Sequence, residues 1–368
     1  MDQKFMNRAL ELSKRGQGLT CPNPMVGAVI VKNGQIIGEG WHHGPGLPHA
    51  EIEALRACRE DPRGATLYVT LEPCNHHGRT PPCTEAVIQA GIAEVKFALP
   101  DPNPVAGGGA ERLRQAGISV VDGLGRRQAL EQNRRFLYAC LTGKPWVILK
   151  AGMSLDGKIT SNAGSSQWIT GAPARRWVHR LRAEVGAVLV GVETVLADDP
   201  QLTNRVLKPA TRQPRPVVFD SKLRIPLQSR LVRERAAELI LFCTLEAPRE
   251  RLEQLRQLRV TVIRQERRGW VDPEASLTAL GELGIQSVLA EGGAGVFTAL
   301  VEAELVNEYY LFYAPFWIGG SDAKGVVGGA GVTQLAAAPR LQVRSVRRIG
   351  ADVLVHAYRE ELETCLPV

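Results

Sequence analysis

Long hydrophobic runs are missing from this chain: no apolar stretch approaches the roughly 18 residues that span a bilayer. Its start, M-D-Q-K-F-M-N-R-A-L-E-L, is amphipathic and interrupted by acidic residues, which excludes a signal peptide. Cysteine is sparse. Seven in 368 residues, an odd number without the spacing of a small secreted framework, exclude complete disulfide pairing and predict a reducing compartment. Aromatic residues make up only 5%, and nowhere do they interleave with arginines in the stripe that a nucleic-acid surface needs. Internal repeats and low-complexity tracts are lacking too, which excludes solenoids and disordered linkers. What remains is an ordinary globular composition, 44% hydrophobic and 23% charged, long enough for two domains or three. The sequence predicts a cytoplasmic protein without membrane attachment and leaves a homo-oligomer open.

The net charge of +7 and the pI near 9.1 admit three explanations: nucleic acid, small phosphorylated ligands, or a basic solvated surface. Arg175, Arg176, Arg180 and Arg182 form the densest cluster, and the remaining arginines are spread along the chain. That distribution favours the second and third explanations over nucleic acid.

One stretch carries distinctive chemistry. It reads P-H-A-E from Pro48 and later E-P-C-N-H-H-G-R-T-P-P-C, ending at Cys83. His49, Cys74 and Cys83 offer one imidazole and two thiolates, a set that zinc prefers. Structural zinc sites close with a fourth protein ligand, whereas catalytic sites stop at three and keep a place for water. Glu51, two residues beyond the histidine, is placed as a proton carrier for that water. One Zn2+, two thiolates and a neutral imidazole sum to zero charge, so the water would be acidified. H-x-E followed by P-C-x-x-C marks zinc-dependent nucleobase deaminases. The first half of that pattern is present, but eight residues separate Cys74 from Cys83. The competing reading is a closed zinc knot using His76 or His77 as a fourth ligand, which would leave Glu51 without a task.

Residues two apart lie on nearly opposite sides of a helix. His49 is therefore expected at a helix start, just after Pro48, where the backbone is not yet helical. Cys74 is expected at a strand end and Cys83 at a helix N-terminus, where the dipole favours a thiolate. All three then fall at one edge of a sheet, where α/β folds place their sites.

Taken in order, the chain predicts a helix from about Gln3 to Arg15, with Phe5, Met6, Ala9, Leu10 and Ser13 on one stripe. An apolar strand, an Asn33-Gly34 hairpin turn and a return through I-I-G-E-G follow. Strands and helices then alternate to a last helix from about Arg126 to Cys140, a pattern that implies a largely parallel sheet covered on both faces. T-G-K-P, with Gly143 and Pro145, marks a boundary between domains 1–144 and 145–368. A second series of strands and helices opens at W-V-I-L-K and closes with V-L-V-H-A-Y. Within it, Asp272-Pro273 predicts the N-cap and first turn of a helix that Gly284 ends. L-A-E-G-G-A-G-V-F reads as strand, glycine turn and helix start, a place whose exposed N–H groups suit phosphate. Ordinary helix-end glycines explain it equally well, since it is neither G-x-G-x-x-G nor a P-loop.

C-P-N-P-M-V-G-A-V-I-V, H-A-E, E-P-C-N-H-H-G-R-T-P-P-C and D-P-N-P-V-A-G-G-G resemble the deaminase half of the bifunctional riboflavin-biosynthesis deaminase-reductase family. The resemblance implies a cytidine-deaminase-like α/β/α domain and a diamino-pyrimidinone carrying a phosphoribosylamino group as substrate. It also implies that Asn23, His42, His76 and Arg79 line the pyrimidine and phosphate site. The plainer readings are a turn residue between prolines for Asn23 and solvent exposure for Arg79.

K-A-G-M-S-L-D-G-K-I, S-S-Q-W-I-T-G-A-P-A-R-R, G-V-E-T-V-L-A-D-D-P-Q-L-T-N-R and L-A-E-G-G-A-G-V-F are similar to the reductase half of the same family. That half implies a dihydrofolate-reductase-like α/β domain using NADPH. Carried over by motif, the NADPH positions are Met153, Trp168, Thr194, Asp198, Ser221 and the run Gly293, Ala294, Gly295, Val296, Phe297 and Thr298. The substrate positions are Ser166, Arg182, Leu202, Arg205 and Glu291. Guanidinium groups match phosphate oxygens in pairs, which suits Arg182 and Arg205 to a sugar phosphate. A salt bridge is the plain alternative for Arg182, core packing for Trp168 and a strand end for Ser221. The likeness thins from Leu227 to Arg268 and at the extreme C-terminus, where the residues suggest only packing.

Two rival readings compete. A tRNA-type deaminase with a basic RNA-binding domain predicts the C-x-x-C spacing and a concentrated basic patch, and neither is present. A non-enzymatic zinc-stabilised module wants a fourth ligand and has no use for Glu51.

Overall fold

The computed structural model describes residues 2–76, 81–103, 106–205 and 213–360. The chain divides into two compact units, one running to Gly143 and the other beginning at Lys144. In the first, α1 (Asp2–Ser13) leads into β1 (Gly27–Lys32) and β2 (Gln35–Trp41). Next come α2 (Ala50–Arg56), β3 (Thr66–Val69), α3 (Cys83–Gln89) and β4 (Glu94–Phe97). The unit closes with α4 (Gly109–Gln115), β5 (Ser119–Asp122) and α5 (Arg126–Thr142).

Five strands lie in the order β2-β1-β3-β4-β5. β1 is antiparallel to both neighbours, while β3, β4 and β5 run parallel. β1 reads G-A-V-I-V-K with its first five residues buried, the continuous apolar run of a strand covered on both faces. Asn33 and Gly34 both have positive φ (51° and 75°), the two-residue turn that matches strand twist. α2 lies unusually close to β2. A Cβ on Gly40 would fall 2.4 Å from the Ala50 carbonyl oxygen, so only glycine permits this contact. That approach fixes the start of α2, and with it His49 and Glu51.

The second unit begins with β6 (Trp146–Ser154), α6 (Ala172–Ala183), β7 (Ala187–Gly191), α7 (Val192–Asp198) and β8 (Arg215–Phe219). It continues through α8 (Arg230–Arg235), β9 (Ile240–Cys243), α9 (Arg249–Gln257), β10 (Thr261–Arg264) and α10 (Pro273–Glu282). β11 (Ser287–Gly292), α11 (Ala294–Glu302), β12 (Glu308–Ala314), β13 (Leu341–Ile349) and β14 (Asp352–Arg359) complete it. Its sheet has the order β10-β9-β8-β7-β11-β6-β12-β14-β13. The strands from β10 to β12 are parallel, and β14 and β13 add antiparallel at one edge. The Asp272 carboxylate accepts the N–H groups of Glu274 and Ala275, with Pro273 in the first turn of α10. Such a cap contributes about 1 kcal/mol.

β13 is absent from the sequence expectation. L-Q-V-R-S-V-R-R-I mixes apolar residues with arginines in no strict alternation, and Val343 and Val346 are exposed at 56% and 62%. Burial does not select such a strand; its pairing with β14 does. Arginines on an edge strand also oppose pairing with a further chain. Among the described residues, no helix is long and apolar enough to cross a membrane.

Candidate active sites

In the first unit, His49 is the N-cap of α2, with extended backbone (φ −75°, ψ 164°), and Glu51 lies in the first turn. Cys83 is the first residue of α3, and Cys74 lies four residues beyond Thr70, past the end of β3. Gly109, where α4 begins, abuts the Pro73 carbonyl so closely that a Cβ would fall 1.8 Å from it. This contact shapes the backbone that presents Cys74.

The metal-binding atoms of His49, Cys74 and Cys83 all lie within 4.8 Å of one another. His49 Nδ1 is 3.2 Å from Cys83 Sγ and 3.5 Å from Cys74 Sγ. Tetrahedral zinc with bonds of about 2.0 Å to nitrogen and 2.3 Å to sulfur needs these atoms about 3.5 Å apart. The donor set and its spacing therefore fit that ion. Hydrogen bonding from Cys83 and then from His49 holds Cys74 well below the usual thiol range, so a thiolate forms there readily. Cys83 is pushed the other way by the same bond and by burial. This is the one cluster of at least three such ligands among the described residues, and His76 is not part of it. Arg79 and His77 lie outside the described residues.

Glu51 is 3% exposed. Burial pushes its carboxyl up to about 7, against the pull of His49, and the carboxyl is also bonded to the Cys83 side chain. A carboxyl so placed exchanges protons near neutral pH. Asn23 Nδ2 is 3.0 Å from His42 Nε2, and His42 Nδ1 is 3.1 Å from the Pro48 carbonyl. His42 is buried, which lowers its proton affinity, and its ring stands edge-on to His49 at 5.3 Å. Asn23 and His42 thus adjoin the metal-ligand cluster. His76 Nδ1 is buried and has no hydrogen-bond partner among the described residues, as suits a group that meets a ligand.

In the second unit, β6, β7, β8 and β11 are parallel and end at Ser154, Gly191, Phe219 and Gly292, so their carboxyl ends open on one edge. Ligands of such sheets bind there. Met153, Thr194, Ser221, Glu291 and Gly293 all lie at those ends. Gln167 Nε2 donates to Asp198 at 2.7 Å, closing one side of a cavity of about 320 Å³ that Ser166 also lines. A second cavity of about 200 Å³ lies between Ser166, Trp168, Phe316 and Ile318. Trp168 is 68% exposed, with the Arg175 guanidinium 4.5 Å from its ring centre, so it does not pack in the core.

Within the glycine run, Val296 and Phe297 belong to the hydrophobic core. Their side chains are therefore turned from any ligand. The Phe297 N–H already bonds to the Gly293 carbonyl. What the run can offer a phosphate is the first N–H groups of α11. Leu202 is buried and has a positive φ of 51°, uncommon for leucine, so its backbone conformation is imposed by its surroundings. The His179 ring and Arg182 both bond the neighbouring Thr203 carbonyl, while Arg205 stays exposed.

Arg182 and Glu291 form a two-point ion pair at 2.5 and 2.6 Å. Sequence reading had nominated both without pairing them. It also missed Lys150, on β6 beside this pair, whose proton affinity burial lowers against the attraction of Glu291. The available signal was a lysine ending the otherwise apolar strand W-V-I-L-K.

Residues 1–99 match the cytidine and deoxycytidylate deaminase zinc-binding region, and residues 145–355 match the RibD C-terminal domain. Riboflavin biosynthesis protein RibD of Escherichia coli (strain K12) is 45% identical, over 96% of this chain and 98% of its own length. The structure of Acinetobacter baumannii RibD superimposes with a TM-score of 0.88 at 38% identity, covering 97% of this chain and 98% of that one. A Thermotoga maritima structure, described as a diaminohydroxyphosphoribosylaminopyrimidine deaminase/5-amino-6-(5-phosphoribosylamino)uracil reductase, gives 0.83 at 37% identity, covering 97% and 98%. A zinc-binding deaminase domain and a reductase domain thus share one polypeptide, and the chain belongs to the RibD family of riboflavin biosynthesis.

Proposed function

We propose that the first unit hydrolytically removes an amino group from a diamino-hydroxy-phosphoribosylaminopyrimidine. The second unit then reduces the ribosyl group of the product to ribityl with NADPH. We assign residues 1–144 to the deaminase and 145–368 to the reductase. The observation that carries the reading is the placement of Glu51. It stands in the first turn of the helix that His49 caps, with its carboxyl on Cys83. A purely structural zinc knot has no use for that group.

Zinc would be held by His49, Cys74 and Cys83 and would supply an acidified water and an electrophile. Glu51 takes one proton from the attacking water and gives it to the ring nitrogen beside the reacting carbon, then takes the second from the hydroxyl now on that carbon and gives it to the departing amine. Water enters and ammonia leaves. Asn23, His42 and His76 hold the pyrimidine.

The two cavities, the exposed Trp168 and the first N–H groups of α11 fit an extended phosphorylated cofactor along the carboxyl ends of the strands. NADPH bound there supplies the hydride. Met153, Trp168, Thr194, Asp198, Ser221 and the start of the Gly293 run form its side of the crevice. Ser166, Leu202, Arg205 and the Arg182–Glu291 pair form the substrate side. Lys150, coupled electrostatically to that pair, is a group that could give a proton in the reduction.

The test is the mass of the product formed from the diamino-pyrimidinone ribosyl phosphate. Without NADPH an amino group is exchanged for oxygen, and with it two hydrogens are gained. Deamination alone removes the reductase reading. Neither change in zinc-loaded protein removes the pyrimidine substrate.

A further inference from the structure

Asn133 is buried in the interior of α5, where an asparagine is otherwise unfavourable. The helix departs from regular geometry at that residue (φ −108°, ψ 15°). Its side-chain amide does what a neighbouring strand would do. Oδ1 accepts the Met25 N–H at 2.8 Å, and Nδ2 donates to the Met25 carbonyl at 2.9 Å. Met25 precedes β1, so the sheet ladder does not satisfy these two groups.

From Met25 the backbone runs two residues back to Asn23. The amide Nδ2 there can only donate, so His42 Nε2 accepts it and His42 Nδ1 carries the hydrogen given to the Pro48 carbonyl. The next residue is His49. The two bonds at Met25, the backbone from Met25 to Asn23 and the Asn23–His42–Pro48 hydrogen bonds therefore join α5 to the edge of the metal-ligand cluster. Asn23 can still offer a ligand Oδ1, an acceptor suited to an amino or ring N–H group, and the second hydrogen of Nδ2.

We propose that Asn133 is a positioning residue for deamination, holding the segment from Cys21 to Met25 so that Asn23 and His42 form a fixed wall of the pyrimidine pocket. The inference rests on the reading that those two residues contact the pyrimidine. Packing of α5 on α1 has its own ties. Gln132 Oε1 accepts Ser13 Oγ at 2.6 Å, and Gln132 Nε2 donates to the Leu10 carbonyl at 3.1 Å. Removing the Asn133 amide therefore loosens the wall without undocking the helix.

The experiment compares zinc-loaded, full-length wild type with N133A and N133D for deamination, zinc content and reduction of the deaminated intermediate. N133D keeps the volume and the acceptor for the Met25 N–H but sets a carboxylate oxygen against the Met25 carbonyl. Each variant is expected to lose about 10- to 100-fold in deamination kcat/KM, carried mostly by KM, as misplaced contacts do. Zinc content and reduction stay at wild-type values. N133A combined with N23A is no worse than N23A alone, because both act through one wall. Unchanged KM in either folded variant overturns the proposal. So does additive loss in the double variant, or parallel loss of zinc and both activities. Should N133A fail to accumulate, the isosteric N133D carries the test. Wild type that releases no ammonia from the diamino-pyrimidinone sinks the underlying reading instead.

Discussion

Arg182 and Glu291, 109 positions apart in sequence, are joined by two parallel hydrogen bonds, Nε to Oε1 at 2.5 Å and Nη2 to Oε2 at 2.6 Å. Their side chains are 13% and 8% exposed. A third guanidinium N–H goes to the Thr203 carbonyl. Three of the five donors of Arg182 are thus committed to protein groups, which makes it a rigid part of the crevice wall more than a swinging phosphate clamp.

Removing one member of such a pair leaves the other charge buried, at a cost of about 3–5 kcal/mol. Glu291→Ala is expected to lose that much stability in a denaturant titration, together with reduction. Replacing both residues by apolar ones of similar size should recover most of the stability but none of the reduction. A loss below about 1 kcal/mol for Glu291→Ala would place the pair among exposed bridges that contribute little.

The same pair sets a pH dependence. Burial works to raise the Glu291 carboxyl, but the charge and hydrogen bonds of Arg182 outweigh it and hold it below its ordinary value of 4.5. A carboxyl lowered on folding stabilises the protein above its unfolded value, and that contribution is lost as pH falls through the folded value. Wild type should therefore keep its advantage over Glu291→Gln at pH 4.5 and above. The two stability curves converge only in stronger acid. Convergence near neutral pH would contradict the pairing.

Glu51→Gln keeps the size of the side chain and removes its ability to accept a proton. Deamination should fall by about 10²- to 10⁴-fold, the usual scale of acid–base catalysis. Zinc content and reduction should be unchanged. Ammonia release within tenfold of wild type would reduce Glu51 to packing.

A chelator separates the two activities. Removing zinc should abolish deamination while reduction of the preformed intermediate continues, and added zinc should restore the first. If both activities fell together, the cluster of His49, Cys74 and Cys83 would be a folding element for the whole chain.

Lys150 tests the cost of a functional charge. Burial lowers its proton affinity, so at neutral pH the folded state is penalised for keeping it charged. Lys150→Met should leave the melting temperature equal or raised, while reduction drops about 10- to 100-fold. A lower melting temperature would show that its attraction to Glu291 exceeds the cost of burial.

Some of this was open to direct reading. Zinc chemistry constrains residue type and spacing, so P-H-A-E and the two cysteines announce themselves. The incompatibility of His49 and Glu51 on one helix face placed the histidine at the helix start, where it lies as N-cap. The apolar strands from β6 to β11 were legible because burial on both faces demands continuous hydrophobic runs. β13 was not, because L-Q-V-R-S-V-R-R-I shows neither a continuous apolar run nor strict alternation.

The sequence by itself determined which chemical groups are present and the local backbone that carries them: the His49 cap, the Asn33-Gly34 turn, the Asp272 cap. These depend on interactions within a few residues, whose physics is the same in any context. Only the tertiary structure decided the partners. It joined Arg182 to Glu291, turned Val296 and Phe297 into the core while leaving Trp168 exposed, and laid Asn133 against Met25, 108 positions away. The reason is that such pairings follow from how strands order in a sheet and how helices cover it, a cooperative outcome of burying the whole apolar surface that no short stretch of sequence encodes.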